Sequence, residues 1–175
     1  MLVTNSTAEQ GLFPMSATAT HLLLLIIVAN SMPVLMTRWL GARYSWPVDA
    51  HRCWRDQRRL LGPSKTWRGL ASALLVTSLS APLLGHHWWL GTLTAALAML
   101  GDLFSSFCKR RLGRASSARA TGLDQLPEAL LPALLLKPLL ALEWLEVLLI
   151  PLLFMLLEMV FSVLLFRLGI RKQPY

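Results

Sequence analysis

The sequence predicts an all-α integral membrane protein of about five transmembrane helices, with its N-terminus outside and its C-terminus in the cytosol. Three observations carry that expectation. The 175-residue chain is 55% hydrophobic, and apolar stretches of the ~17–25 residues that cross a bilayer recur along it. Those stretches are Leu-rich runs without the strict alternation of a membrane β-barrel. Of the 17 Lys and Arg residues, all but Lys137 fall in three segments that five crossings put on one side.

The length suits a single membrane domain, residues 1–175. The first span is expected near 18–37. No Lys or Arg precedes Arg38, so the positive leader of a cleavable signal is missing. Inside this span lie Asn30 and Pro33; a Pro frees a backbone carbonyl and a buried Asn wants partners, with helix packing the plain alternative. Residues 38–68 are polar and Arg-rich and read as a cytosolic loop. The second span is expected near 69–85, ending in a short turn at Pro82, Gly85 and His86-His87. These histidines, with Trp88-Trp89, read as an interfacial belt on the outer side rather than a ligand pair.

The third span is expected near 87–105 and leads into a second basic loop, 105–124. Spans four and five are expected near 125–141 and 145–167. Lys137-Pro138 and Glu143 divide them, because a charge at the bilayer centre costs roughly 2.5–3.5 kcal/mol on insertion scales. Glu158, within the fifth span, is open to interhelical pairing or to a cavity-facing role. Cys53 and Cys108 form no CxxC pair and read as reduced and structural. Asn5-Ser6-Thr7 fits a glycosylation acceptor only as a short pattern.

Eight bases lie in 38–68, five in 105–124 and three near the C-terminus, so the two basic loops share the cytosolic face. Attraction to anionic headgroups, about 1 kcal/mol per base, accounts for the net charge of +8 without a nucleic-acid partner. It does not account for the acids set among the bases.

Four stretches carry candidate chemistry. In GPSKTWRG, Gly62 to Gly69, a Gly-Pro turn puts Lys65 and Thr66 where a helix should begin, a ready anion site. The stretch lacks the spacing of a P-loop, and an interfacial loop anchored by Trp67 uses the same residues. In GDLFSSFCKRRLG, Asp102, Ser105 or Ser106, and Lys109 share one helical face. Acid, hydroxyl and base on one stripe suit a metal-bound polyphosphate, with Gly101 letting another backbone approach. Snorkelling bases at a helix end are the alternative, although Asp102 near a helix C-terminus needs a compensating cation. In GLDQLPE, Asp124 can cap a helix, bind Mg²⁺, or both. The fourth is the Asn30–Pro33 pair already described.

In their order these stretches resemble the CDP-archaeol synthase family, small membrane relatives of phosphatidate cytidylyltransferase. The resemblance rests on Ala29-Asn30 with Pro33-Val34, Pro47-Val48-Asp49, Arg58-Arg59-Leu60 and the GPSKTWRG stretch. It continues through Gly101-Asp102-Leu103, Ser106-Phe107, Lys109 to Gly113, and Asp124-Gln125-Leu126. It implies that the phosphate of a lipid attacks the α-phosphorus of CTP, giving a CDP-lipid and pyrophosphate, with Mg²⁺ as cofactor, in phospholipid biosynthesis. Asp102 and Asp124 correspond to metal ligands. Lys65, Lys109, Arg110 and Arg111 correspond to phosphate contacts, with Thr66 and Ser106 as helpers and Asn30 near the nucleotide. Lys65, Lys109, Asp102 and Asp124 are thus the expected catalytic set.

The implied partners are CTP, a lipid phosphate and the surrounding membrane lipids, with a homodimer left open. The implied location is the cell (inner) membrane, with the site on the cytosolic side. Two positions depart from the family pattern. Ala50-His51 stands where two glycines are frequent, and Pro127-Glu128 stands where a second acid often follows Asp-Gln-Leu. An ester-lipid phosphatidate cytidylyltransferase and a non-enzymatic scaffold or transporter remain the alternative readings.

Overall fold

A computed structural model describes residues 15–113 and 125–167, with side chains to 161. Asp124, Arg114, Arg119, Arg171, Lys172 and the Asn5-Ser6-Thr7 pattern lie outside the described residues. Among those described, the protein is all-helical: α1 (Ala17–Leu40), α2 (Trp67–Ser80), a 3₁₀ turn (Pro82–Leu84), α3 (Trp88–Arg111), α4 (Gln125–Leu140) and α5 (Trp144–Arg167). Four helical segments are long and apolar enough to cross a membrane. α4 is the exception: its 16 residues span about 24 Å.

Local chemistry sets the boundaries. Ser16 caps α1 by accepting the Ala19 N–H, and Gly41, at φ +54°, ends it. Thr66 caps α2 by accepting the Gly69 N–H, so the helix begins where the GPSKTWRG stretch predicts. Gly85, at φ +79°, closes the 3₁₀ turn, and His86 pairs there with His21 of α1 at 3.1 Å. α3 continues past the expected span end to Arg111, which makes the whole basic triplet helical.

α1 packs on the other four helices, and each helix packs on its sequence neighbour. The main apolar core joins Leu22 and Ile26 of α1, Leu90 of α3, Leu136 of α4 and Phe154 of α5. α3 meets its neighbours through small residues, as membrane helices do when backbones must come close. A Cβ on Gly91 would stand 2.3 Å from the Thr77 carbonyl oxygen of α2, and one on Gly101 would stand 2.2 Å from the Pro127 carbonyl oxygen of α4. The first turn of α4 therefore sits against Gly101, well before α3 ends.

The 41–66 loop is closed on itself. Val48 donates to the Lys65 carbonyl at 2.8 Å, and Trp67 to the Trp46 carbonyl at 3.1 Å. Arg68 ties the loop's start to α2 through the carbonyls of Gly41 and Arg43. Ala50 and His51 adopt φ values of +44° and +63°, the left-handed region that glycine enters freely. The two departures from the family's glycines are thus strained positions. Ala50→Gly and His51→Gly should each raise stability by about 0.5–1 kcal/mol, the strain relieved less the extra unfolded-state entropy. Thermal melting of the purified variants in detergent reads this out, and unchanged or lower melting temperatures would count against it.

Candidate active site

Lys65 and Asp102, both half-buried, and the buried Glu128 form a polar cluster where three segments meet. Lys65 Nζ lies 2.5 and 2.6 Å from the two carboxylate oxygens of Asp102. Glu128, in the first turn of α4, hydrogen-bonds the Asp102 carboxyl and lies within electrostatic reach of Lys65 and of Glu158 on α5. Glu128 is 92% removed from solvent, reading 8% exposed. The Gly101–Pro127 contact holds it there. Glu158 is half-buried on α5.

The predicted stripe on α3 is buried except at Asp102, which is half-buried. Ser105, Ser106 and Lys109 all face inward, and Ser105 Oγ donates to the Asp102 carbonyl at 2.9 Å. Thr66 is spent on its capping bond to Gly69 at 3.2 Å. Asn30 bonds back to the Ile26 carbonyl of its own helix at 3.1 Å. Arg111 is drawn into fastening the loop: it pairs with Asp56 at 2.8 Å, donates to the carbonyls of Arg58 and Arg59, and stacks over Phe107. Arg110 lines a separate cavity with Arg58 and Arg59. The structure thus brings Lys65 and Asp102 together, buries Ser106 and Lys109 along the same helix, and gives Thr66, Asn30 and Arg111 local structural bonds.

Two residues noted in the sequence without an assigned role matter here. Glu128 is one; its signal is the buried spacing Gln125, Glu128, Ala129, Pro132 and Ala133 along α4. Asp49 is the other. Its buried carboxylate accepts from Arg59 at 2.6 and 3.2 Å and from the N–H groups of His51, Leu61 and Gly62. That shapes the turn leading into Lys65. Burial alone would raise the Asp49 pKa; Arg59 and the three N–H donors outweigh it and hold the group at about 2.

A folded value below the unfolded one means that the stabilisation is present above about pH 4 and lost as pH falls toward 2. Amide exchange at Leu61 and Gly62 should therefore lose protection across that window, and Asp49→Asn should flatten the dependence. Protection that is independent of pH in the native chain would contradict it.

The donor set suits a hard cation. Mg²⁺ is held through one or two carboxylates plus substrate phosphates, and Asp102 and Glu128 present two adjacent carboxyl groups. Among the described residues, no group of three or more His, Cys, Asp or Glu is arranged around a single metal position. A site of this kind relies on the substrate to complete it.

Comparison with known proteins follows the same lines. The family model described as "CarS-like: CDP-archaeol synthase" matches residues 15–175. The CDP-archaeol synthase of Sulfurisphaera tokodaii is 46% identical over 85 residues, 46% of this chain and 51% of that protein. That of Pyrococcus furiosus is 40% identical over 107 residues, 55% of this chain and 60% of that protein. The chain therefore aligns with about half to three-fifths of the length of these curated relatives. A solved structure described as an intramembrane enzyme for archaeal membrane lipids biosynthesis superposes with a TM-score of 0.72 at 29% identity, covering 83% of this chain and 92% of that one.

Proposed function

The chain belongs to the CDP-archaeol synthase family, and on that premise we propose that it transfers the cytidylyl group of CTP to the phosphate of an archaeol-type membrane lipid. A lipid-phosphate oxygen forms the new bond to the α-phosphorus, the bond between that phosphorus and the α–β bridging oxygen breaks, and pyrophosphate leaves. The nucleophile is already an anion, so no general base and no covalent enzyme intermediate are needed. Catalysis of this kind is positioning and charge neutralisation.

The observation that carries the reading is the Lys65–Asp102–Glu128 cluster: a base and two carboxyls within the helical bundle, at the mouth of a basic loop. Asp102 and Glu128 would hold Mg²⁺, which when bound supplies charge neutralisation to the phosphates. Lys65 exchanges its carboxylate partner for a phosphate oxygen as substrate enters. Lys109, buried two turns along α3 from Asp102, adds a second fixed cation. Ser105 and Ser106 line the same stripe and hold its polarity inside the bundle.

Purified protein incubated with labelled CTP, Mg²⁺ and a panel of lipid phosphates, ether and ester, prenyl and acyl, tests the reading. A CDP-lipid formed from the ether-prenyl member supports it. No CDP-lipid from any member would sink it, and product from ester lipids alone would favour the phosphatidate alternative.

The site is proposed to face the cytosol, supported by the sixteen bases that share one side. In intact cells an impermeant thiol reagent should modify a Cys placed near Gly85 and spare native Cys53 and Cys108. Labelling of Cys53, which is exposed on the loop, would invert the orientation.

A further inference from the structure

His86, in the turn between α2 and α3, pairs with His21 of α1, 65 residues away, and not with its neighbour His87. His21 Nδ1 and His86 Nε2 stand 3.1 Å apart, and the rings meet edge to face with centroids 5.2 Å apart. Both residues are half-buried. The backbone fixes each of them. Gly85, at φ +79°, closes the turn, and the His86 N–H donates to the Ala81 carbonyl at 3.0 Å. His21 lies in the second turn of α1, whose start is tied to α5 where the Ser16 N–H donates to the Glu146 carboxylate at 2.7 Å.

In a neutral pair, one of the facing nitrogens carries a proton and the other a lone pair. If that proton moves to the other nitrogen of its own ring, both lone pairs face the gap, with no net gain or loss of protons. Zinc binds imidazole nitrogen at ~2.0–2.1 Å, which sets two nitrogens on one ion about 3.3–3.4 Å apart in tetrahedral geometry. The right angle of a square-planar copper or nickel site brings them to about 2.8–3.0 Å at similar bond lengths. The observed 3.1 Å falls between the two, so an ion fits without any movement of the helices. The other charged or titratable groups at this end of the bundle are engaged elsewhere. Glu146 also accepts from the Glu143 N–H at 2.9 Å, Lys137 lies over Trp144, and the exposed His87 stacks on Trp89. Among the described residues, no third His, Cys, Asp or Glu joins the pair, so water completes the coordination. Two protein ligands make an exchangeable site, unlike the closed four-ligand set of structural zinc.

We propose that His21 and His86 form a two-point site for a divalent ion that favours imidazole, of the zinc, nickel and copper class, and that the bound ion clasps α1 to the α2–α3 turn. Lys65 precedes α2 and His86 follows it, so the 14 residues of that helix set the two sites about 21 Å apart. The assignment rests on neither the reaction nor the Mg²⁺ ligands proposed above. In the orientation proposed for the chain, the pair lies at the outer face, where an external ion reaches it without crossing the bilayer.

The test uses the untagged protein in detergent, with Zn²⁺ alone as the probe and Mg²⁺ as the comparison. Titration calorimetry should find a Zn²⁺ site that His21→Gln and His86→Gln each weaken at least tenfold. His87→Gln removes a neighbouring imidazole and Cys53→Ser an exposed thiol, and both should leave it within twofold. Melting temperature should rise with Zn²⁺ by mass action. The His21 and His86 variants should lose that rise and keep the native response to Mg²⁺, because oxygen ligands, not imidazole, hold Mg²⁺. Cu²⁺ added to the native chain covers the case in which a Gln variant fails to fold: its electron paramagnetic resonance should show two imidazole nitrogens. Zn²⁺ affinity unchanged in both His variants would overturn the proposal, and so would equal weakening by His87→Gln or Cys53→Ser. A native chain that binds no Zn²⁺, or a Cu²⁺ spectrum with fewer than two nitrogens, would do the same.

Discussion

Lys65→Ala is expected to lower CDP-lipid formation by about 10²–10³-fold, the effect of removing a fixed donor from a water-poor site where charge must be neutralised. The same change leaves Asp102 beside Glu128 with its closest counter-charge gone. Breaking a buried pair costs about 3–5 kcal/mol, and the residual exposure of these side chains, 20% and 15%, brings the figure to the lower end. Loss of activity and loss of fold must therefore be separated. The double variant Lys65→Met with Asp102→Asn removes both charges, and it should recover most of the melting temperature without recovering turnover. Lys65→Arg should retain the fold with strongly reduced rate, because a planar fork does not replace a point charge in this turn. A Lys65→Ala protein that turns over near the wild-type rate would refute the assignment, and so would a double variant that regains activity along with stability.

Gly101→Val is expected to be the most damaging packing change. The atoms that its side chain would meet are the carbonyl of Pro127 at 2.2 and 2.5 Å and the Glu128 nitrogen at 2.8 Å. All three are backbone and belong to another helix, so relief requires α4 to move as a body. Overpacking of a core usually costs about 1–3 kcal/mol, and a rigid obstacle on this scale should exceed 3 kcal/mol. That corresponds to a fall of roughly 6–12 °C in melting temperature for a chain of this size.

Gly91→Ala provides the comparison, since its obstacle is equally rigid but lies on α2. Both variants should melt early. At low temperature, where both are folded, the Gly101 variant alone should lose the Mg²⁺-dependent rise in stability that binding linkage predicts, because α4 carries Glu128. Equal Mg²⁺ responses in the two would remove Glu128 from the metal site.

The bundle was legible because its signals are local. Apolar runs broken at 38–68, Pro82-Gly85, 105–124 and Glu143 mark five helices, whereas Lys137-Pro138, expected to divide the last two, lies inside α4; Thr66 announces the start of α2. The inward stripe of Asp102, Ser105, Ser106 and Lys109 follows from helical spacing alone. What escaped depends on depth and on long-range pairing. Glu128 joins the site because α4 begins level with Gly101 and not with the end of α3, and no spacing within α4 encodes that offset. Lys65 and Asp102 stand 37 residues apart; each looked functional, yet nothing local makes them partners. Asp49 shapes a loop that has no periodicity to read. Arg111 shows the limit for bases, since one guanidinium serves a carboxylate, a carbonyl or a phosphate with the same donors.

The contact between Lys65 and Asp102 also bears on how the chain is made. A carboxylate entering the bilayer interior alone carries a penalty of a few kcal/mol. Synthesis runs from the N-terminus, so Lys65 has emerged before Asp102, and α2 and α3 are joined by a turn short enough for them to enter as a hairpin. The nascent hairpin brings the acid and its counter-charge into the membrane together. Glu128 follows later, when the neighbouring carboxylate is already neutralised. The pair proposed to part as substrate enters would thus first serve as the hairpin's permit to insert.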